Sequence, residues 1–334
     1  MVNVISLFCG CGGSSLGYKR ANCDIRLATD FNPIALQTYN LNFPQTQTLQ
    51  ENIRKISGNL ITKLTNIESG ELDILDGSPP CTPFSTAGKR EKSWNKAYRH
   101  VGERTVQITN DLFYEYIRLV AELKPKTFVA ENVRGLIIGK SKGYFLNITS
   151  KLKEIGYDIQ AFDINSKDFE VAQSRPRIII TGIRNDIKQS AATKLTKHKE
   201  ISFYEAIRNV KLDQEELKQA RNSITKSIRF QFISKCKQGQ GVNDYHFANE
   251  GFNYNKVRID KPIPTIVAHS NMLMHPTEQR YLTLAELKRC ASFPDDFKFI
   301  SNHDGKVRIG NSVPPNLIKN IALYIIERAN LAIT

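Results

Sequence analysis

Short runs rich in β-branched residues alternate with helical patterns through the first half of the chain, and this alternation restricts the fold most. The strand-like runs are 2–7, 25–29, 72–75, 127–130 and 177–183, and helical spacing fills 111–123. Strands that alternate with helices form parallel sheets, because each crossover between parallel strands is helical. The pattern predicts an α/β protein with a doubly wound sheet, in which ligands bind at the carboxyl ends of the strands.

The pattern weakens from about residue 185 to 255, where lysine and glutamine become frequent and strands are hard to place. Helical spacing returns at 316–332. We therefore expect a first domain over 1–184 and a smaller second domain over 185–299. The C-terminal segment, 300–334, is expected to pack back onto the first domain.

The chain is basic, with 47 lysine and arginine residues against 33 aspartate and glutamate residues and a formal net charge of +14. Excess positive charge favours a polyanionic partner, because neutralising phosphates releases condensed counterions. The six cysteines are scattered without a C-x-x-C pair, so we expect free thiols and no metal. No apolar run approaches the length of a membrane span, and we expect a cytoplasmic monomer without membrane contact.

Two acidic or glycine-rich strand ends indicate a nucleotide-like ligand. Gly10, Gly12 and Gly13 form a turn after the first strand, and Asp30 ends the second strand. Glycine lets the backbone approach a ligand, and an acid about 20 residues later typically accepts ribose hydroxyls. A glycine turn alone is equally compatible with ordinary turn chemistry. The turn lacks a third glycine at dinucleotide spacing, which favours an adenosyl ligand over NAD.

Three further strand ends carry reactive side chains. Cys81 follows Pro80 in a proline-rich loop that would fix the thiol in place, although a small buried residue is the alternative. Glu131 leaves an apolar strand, where desolvation would raise its pKa and make it a proton donor, unless the strand end is solvated. Arg175 and Arg177 are expected to face the same side at period two, with a structural salt bridge as the alternative for either.

In this order, these motifs resemble those of the C5-cytosine DNA methyltransferase family over nearly the whole chain. The resemblance implies a Rossmann-like, S-adenosylmethionine-dependent methyltransferase sheet. The first domain would be catalytic and cofactor-binding, and 185–299 would be the small target-recognition domain. S-adenosylmethionine would be the cofactor and S-adenosylhomocysteine the product, with no metal. The implied cofactor-binding residues are Phe8, Gly10, Gly12, Gly13, Asp30, Phe31, Asn52, Ile53, Pro80, Leu112 and Asn311.

The resemblance also extends to later motifs, with two departures. The matching segments are 77–85, 131–133, 173–177, 280–286, 293–295 and 310–314. Ser6 stands where many members of the family carry aspartate. Asn52 stands where the family usually has an aspartate that contacts the adenine amino group.

The resemblance implies a mechanism for cytosine, whose C5 is a poor nucleophile. Cys81 would add as a thiolate to C6 of a cytosine flipped out of the duplex, while Glu131 protonates N3 or donates a hydrogen bond to it. Arg175 would contact O2 of the base, and Arg177 would support Glu131 or the loop. The basic segment 86–110 would be a lid that closes over DNA.

We therefore expect a DNA (cytosine-5-)-methyltransferase of a restriction-modification system that acts on duplex DNA in the cytoplasm, associated with the nucleoid. A cognate restriction endonuclease for the same site is an optional partner. A tRNA cytosine methyltransferase on the same scaffold is the alternative, although the Cys-Phe-Thr signature of that branch is missing. An inactive DNA-binding scaffold is disfavoured by the intact Cys81, Glu131 and Arg175. A small-molecule methyltransferase would need neither the basic surplus nor the second domain.

Overall fold

The computed structural model describes seven stretches of the chain: 1–80, 112–139, 141–191, 194–225, 230–245, 254–268 and 272–332. The expected nucleophile Cys81 and the expected lid, 86–110, lie outside the described residues. The chain forms two compact units. The first comprises Met1–Ile164, Pro176–Thr196 and Pro315–Thr334, and the second comprises Asn165–Arg175 and Lys197–Pro314.

Within the described residues, the first unit contains a seven-stranded sheet. Its strands are β1 (Val2–Leu7), β2 (Cys23–Asp30), β3 (Gln47–Gln50), β4 (Ile74–Gly77), β5 (Thr127–Val133), β6 (Tyr157–Asn165) and β7 (Pro176–Arg184). The spatial order is β3-β2-β1-β4-β5-β7-β6. β1 pairs in parallel with β2 and β4, β4 pairs in parallel with β5, and β7 runs antiparallel to β5. The order reverses at β1, so the carboxyl ends of β1 and β4 mark the switch point where ligands bind in such sheets.

The helices follow the same alternation. They are α1 (Gly13–Arg20), α2 (Pro33–Asn42), α3 (Gly58–Thr65), α4 (Leu112–Leu123), α5 (Ser141–Glu154), α6 (Phe203–Ile207), α7 (Gln214–Thr225), α8 (Phe230–Ile233), α9 (Leu284–Cys290), α10 (Asn302–Asn311) and α11 (Pro315–Arg328). α2 begins at Pro33 because the Asn32 side chain accepts hydrogen bonds from the amides of Ile34 and Ala35. In the first unit, α1 packs closely on α11, and a Cβ added at Gly17 would lie 2.6 Å from the Pro315 carbonyl oxygen.

The core of the first unit lies around the central strands, which are buried on both faces. All four residues of β4 are buried, Asp76 included, and so are Phe128, Val129 and Ala130 of β5. Burial on both faces explains the continuous apolar run of β5 in the sequence. The Tyr116 hydroxyl of α4 lies 3.0 Å from the Leu75 carbonyl oxygen and 3.1 Å from that of Val129, so its polar tip is satisfied inside the core.

The second unit contains a buried ion pair between Arg280 and Glu286. Arg280 is 1% exposed, and its two terminal nitrogens each donate to a different carboxylate oxygen of Glu286 at 2.8 Å. Glu286 also accepts from Thr283, which caps α9 in return. A buried charge is tolerated only when it is paired and hydrogen-bonded, and this pair meets that condition. A short parallel ladder joins β8 (Asn255–Lys256) to β9 (Leu273–Met274).

The α/β class and the mostly parallel sheet predicted from the sequence are confirmed. The predicted run 72–75 corresponds to β4, which begins two residues later at Ile74, and the strands β3 and β6 were not predicted. The segment Asn165–Arg175 belongs to the second compact unit because its backbone pairs with that unit: the Ser174 amide donates to the Ile263 carbonyl and the Ile263 amide to Ala172. The functional division at 184 and 299 stays a prediction. Within the described chain, no helix combines the length and apolar character that a bilayer crossing requires.

Candidate active site

The turn between β1 and α1 has an unusual backbone. Phe8, Gly10 and Gly12 all have positive φ values, of 54°, 54° and 97°. A positive φ is uncommon for a residue other than glycine, and such strain concentrates at functional sites. A Cβ added at Gly12 would lie 2.3 Å from Cε2 of Phe43, whereas one added at Gly10 would meet no atom within 4 Å. Gly12 is therefore required by packing, and open space lies beside Gly10.

Asp30, the last residue of β2, is hydrogen-bonded to this turn. Its carboxylate accepts hydrogen bonds from the backbone amides of Gly10 and Asn32, both at 2.9 Å. The structure thus brings together two residues that sequence analysis assigned to one ligand site. Phe31, the next predicted residue, is half-buried.

The Asn52 side chain caps a short 3-10 helix at Ile53–Lys55 by accepting from the Arg54 amide at 3.1 Å. Ile53 is buried.

Glu131 at the end of β5 pairs with Arg177 on β7. Arg177 Nε lies 2.8 Å from Glu131 Oε1, and each side chain is 11% exposed. Burial lowers the pKa of the Arg177 guanidinium, and the charge and hydrogen bond of Glu131 oppose that shift. The ion pair holds the carboxylate in one orientation at the carboxyl end of the sheet. The catalytic roles of both residues stay predictions.

Asn132, which was not among the predicted site residues, ties β5 to the proline-rich loop. It is 3% exposed, and its Nδ2 donates to the Pro79 carbonyl oxygen at 3.1 Å. Cys81 is two residues further along the chain from Pro79. The sequence signal for Asn132 was its place beside Glu131 in the motif, because a buried side-chain amide needs hydrogen-bond partners.

Arg175 and Arg177 bind different partners. Arg175, in the second unit, donates to the carbonyl oxygens of Ile266 at 2.9 Å and Gly310 at 3.0 Å. Arg175 precedes β7, which begins at Pro176, and that both guanidiniums face one side stays a prediction. Asn311, also in the second unit, is the exposed last residue of α10.

The remaining predicted residues flank the switch point or lie in the core. Leu112 begins α4 and is 1% exposed in the main core. Pro80 is half-buried, and the preceding Ser78 has a buried hydroxyl without a hydrogen-bond partner among the described residues. That hydroxyl, the open space at Gly10 and the fixed Asp30 carboxylate fit a polar nucleoside ligand at the ends of β1 and β4. Within the described residues no cluster of His, Cys, Asp or Glu is suited to a metal.

A mostly parallel sheet with one antiparallel strand, and a glycine turn at its switch point, define the S-adenosylmethionine-dependent methyltransferase fold. Residues 2–327 match the family described as C-5 cytosine-specific DNA methylase. The chain belongs to this family, and its activity is that of a DNA (cytosine-5-)-methyltransferase.

Individual relatives agree with this assignment. The chain is 31% identical to the type II methyltransferase M1.HphI of Haemophilus parahaemolyticus, over 97% of this chain and 86% of the relative. It is 28% identical to M.NgoPII of Neisseria gonorrhoeae, over 97% and 95%. Among solved structures, a protein described as a DNA modification methyltransferase encoded within an E. coli prophage superposes with a TM-score of 0.75. That match has 22% identity, covers 99% of this chain and 100% of the other, and supports the fold.

Proposed function

We propose that the chain transfers a methyl group from S-adenosylmethionine to C5 of a flipped-out cytosine in a specific duplex DNA sequence, through a covalent Cys81 adduct at C6. The observation that carries the proposal is the end of β5. There the Glu131–Arg177 ion pair and the Asn132–Pro79 hydrogen bond fix an acidic side chain and the loop that leads to Cys81 on one strand end.

Each protein group has one task in this reaction. The Cys81 thiolate adds to C6, which makes C5 enamine-like and nucleophilic. Glu131 supplies a proton or hydrogen bond at N3, so that negative charge does not accumulate in the ring during addition. Arg177 orients Glu131. Loss of the C5 proton after methyl transfer restores the double bond and expels Cys81.

Arg175 is proposed to orient the base at O2. Its hydrogen bonds to the carbonyls of Ile266 and Gly310 fix the guanidinium plane, as such recognition requires.

The cofactor site is proposed at the turn Phe8–Gly13 and the ends of β2 and β4. Asp30 would accept the ribose hydroxyls, and Phe8 and Phe31 would contact the two faces of the adenine. Asn52, Ile53, Pro80, Leu112 and Asn311 would complete the site. When bound, the cofactor supplies an electrophilic methyl group on a sulfonium.

DNA recognition is assigned to the smaller domain, 185–299, and closure over the DNA to 86–110. The positive surplus of the chain suits the phosphate backbone. A restriction endonuclease that cuts the same unmethylated sequence is the proposed genetic partner. Action on DNA implies a cytoplasmic, nucleoid-associated location, and we expect a monomer.

Covalent trapping tests substrate and mechanism together. Duplex DNA that carries 5-fluorocytosine at the target position is incubated with enzyme and S-adenosylmethionine. Fluorine cannot leave as a cation, so elimination stalls and a protein–DNA adduct should survive denaturation. The adduct should require the cofactor and be absent in Cys81→Ala.

Two controls separate the alternatives. Cys290→Ser, at a buried thiol of the second unit, should still form the adduct. Trapping on a fluorinated tRNA but not on DNA would overturn the substrate assignment and keep the chemistry. Failure to trap either nucleic acid, with cofactor demonstrably bound, would favour a binding scaffold.

A further inference from the structure

Asp76 is a buried acid of the first unit that the proposed reaction does not use. It lies on β4 and is 2% exposed. Its carboxylate accepts hydrogen bonds from the Ser6 hydroxyl of β1 at 2.9 Å and from the Tyr18 hydroxyl of α1 at 3.2 Å. Ser6 and Asp76 are direct partners in the β1–β4 register. Two hydroxyl donors thus hold one carboxylate at the switch point of the sheet.

Among the described residues, no cation is found to act on the Asp76 carboxylate. The titratable groups that act on it or feel its charge are Tyr18 on α1, Tyr39 on α2, Tyr116 on α4, Cys9 in the turn and Glu131 on β5. Burial raises the pKa of Asp76 to about 7; the hydroxyls of Ser6 and Tyr18 oppose the shift, and the charge of Glu131 adds to it. Within the described residues the Arg177 guanidinium pairs with Glu131, not with Asp76. A cation that binds near such a buried carboxylate stabilises its ionised form.

Asp76 is the last residue but one of β4, and its hydrogen-bond partner Ser6 is the last but one of β1, so both lie at the strand ends where the cofactor site is proposed. Ser78, whose buried hydroxyl has no hydrogen-bond partner among the described residues, is two residues after Asp76. Burial raises the pKa of the Cys9 thiol, with smaller contributions that include the charge of Asp76. The electrostatic field of Asp76 therefore extends into the glycine turn.

We propose that Asp76 is a specificity-determining residue of the cofactor site, whose negative charge favours a cationic sulfonium ligand over the neutral thioether that the reaction leaves. The inference rests on the proposed function, because S-adenosylmethionine and S-adenosylhomocysteine differ in that charge. Position 6, opposite Asp76 in the register, is a serine in this chain. In this chain β4 supplies the carboxylate and β1 supplies a hydroxyl that binds it.

The pH dependence has a definite sign. At a pH below its raised pKa, Asp76 is protonated in the free enzyme. A cationic ligand is then attracted to the carboxylate only if the proton is released on binding. Affinity for the sulfonium ligand should therefore be constant above about pH 7.5 and weaken as the pH falls below about 7, by at most tenfold per unit. Both ligands carry the same amino and carboxyl groups, so the ratio of their affinities isolates the sulfonium.

The experiment is calorimetric titration of the purified full chain with each ligand between pH 6 and pH 8.5. For the wild type, the preference for S-adenosylmethionine over S-adenosylhomocysteine should grow with pH by roughly tenfold. Asp76→Asn keeps the shape but has no charge, and one of the two hydroxyls must then accept from the amide nitrogen instead of donating. The preference of this variant should be smaller and independent of pH. Ser6→Ala removes one donor to the carboxylate, so the midpoint of the wild-type change should move to higher pH.

The outcomes are distinct. A preference that is flat with pH in the wild type, or equal pH profiles in wild type and Asp76→Asn, would overturn the role of Asp76. The wild-type profile decides even if Asp76→Asn fails to fold. If the wild type binds neither ligand, the proposed function fails and not merely this inference.

Discussion

At the scale of single residues, the ion pair with Arg177 fixes the carboxylate of Glu131, the proposed proton donor. Each side chain is 11% exposed, and the pair bridges two adjacent strands of the sheet, β5 and β7. Rigid strands position a side chain more tightly than loops do, because neighbouring backbone hydrogen bonds fix the Cα position. The carboxylate is thus in place before any base arrives, and little rotamer freedom remains to be lost on binding.

Replacing Glu131 with glutamine tests its role as the proton donor. The amide keeps the shape and a hydrogen bond at N3 but cannot deliver a proton. We expect turnover to fall by about 10²–10⁴-fold with cofactor affinity nearly unchanged. Single-turnover methylation and cofactor titration measure the two quantities. Glu115→Gln, which breaks an ion pair with Arg118 on α4, is the matched control and should leave turnover intact. A parallel loss of cofactor affinity in Glu131→Gln would reassign the residue to structure.

Motifs in the sequence indicated which residues to group into a site, but they did not indicate residues whose role depends on tertiary contacts. Asp30 and Gly10 were assigned to one site, and a hydrogen bond joins them. Asp76 and Asn132 were missed as site residues because their importance depends on burial and on partners about 50 to 70 residues away. Burial and long-range pairing are properties of the packed chain, which residue type alone does not reveal.

At the scale of elements, the turn Phe8–Gly13 depends on glycine for two separate reasons. Gly12 has a φ of 97°, and its Cα faces the Phe43 ring at a distance that admits no methyl group. The periodicity of the strands and helices predicted where the turn would fall. The Phe43 contact could not be predicted, because it joins the turn to the end of α2 through packing alone.

Gly12→Ala should destabilise the first unit by about 2–4 kcal/mol, since left-handed strain adds to overpacking against Phe43. The matched control is Gly143→Ala on the exposed face of α5, where a Cβ meets no atom within 4 Å and φ is ordinary. That change should stabilise the protein by about 0.5–1 kcal/mol through helix propensity. Urea unfolding monitored by circular dichroism measures both. Similar midpoints for the two variants would contradict the account of the turn.

At the scale of the whole molecule, the net charge of +14 governs the approach to DNA more than the chemistry. The surplus of positive charge could be predicted from the composition, and the class of sheet from the alternation of strand and helix patterns. The grouping of Asn165–Arg175 with the second unit could not be predicted, because it depends on backbone pairing with a segment about 90 residues away.

Binding to non-target duplex DNA should weaken steeply as salt rises from 50 to 200 mM. Six to ten phosphate contacts would give a loss on the order of 10³–10⁵-fold, because each contact releases condensed counterions. Fluorescence anisotropy of labelled DNA measures the slope of log affinity against log salt. Cofactor affinity serves as the internal control and should change far less over the same range. A shallow slope for DNA would mean that the surplus charge lies away from the DNA-binding surface.

The packing of α1 on α11 has a consequence for how the chain matures during synthesis. Arg20 at the end of α1 donates to the Asn316 side chain of α11, across 296 residues of sequence. A ribosome has therefore released the glycine turn and most of the sheet long before the helix that covers α1 emerges. Until then the face of α1 around Gly17 has no cover and is exposed to chaperones and proteases. Completion of the first unit therefore waits for α11, and a product truncated before Pro315 would leave this face of α1 uncovered.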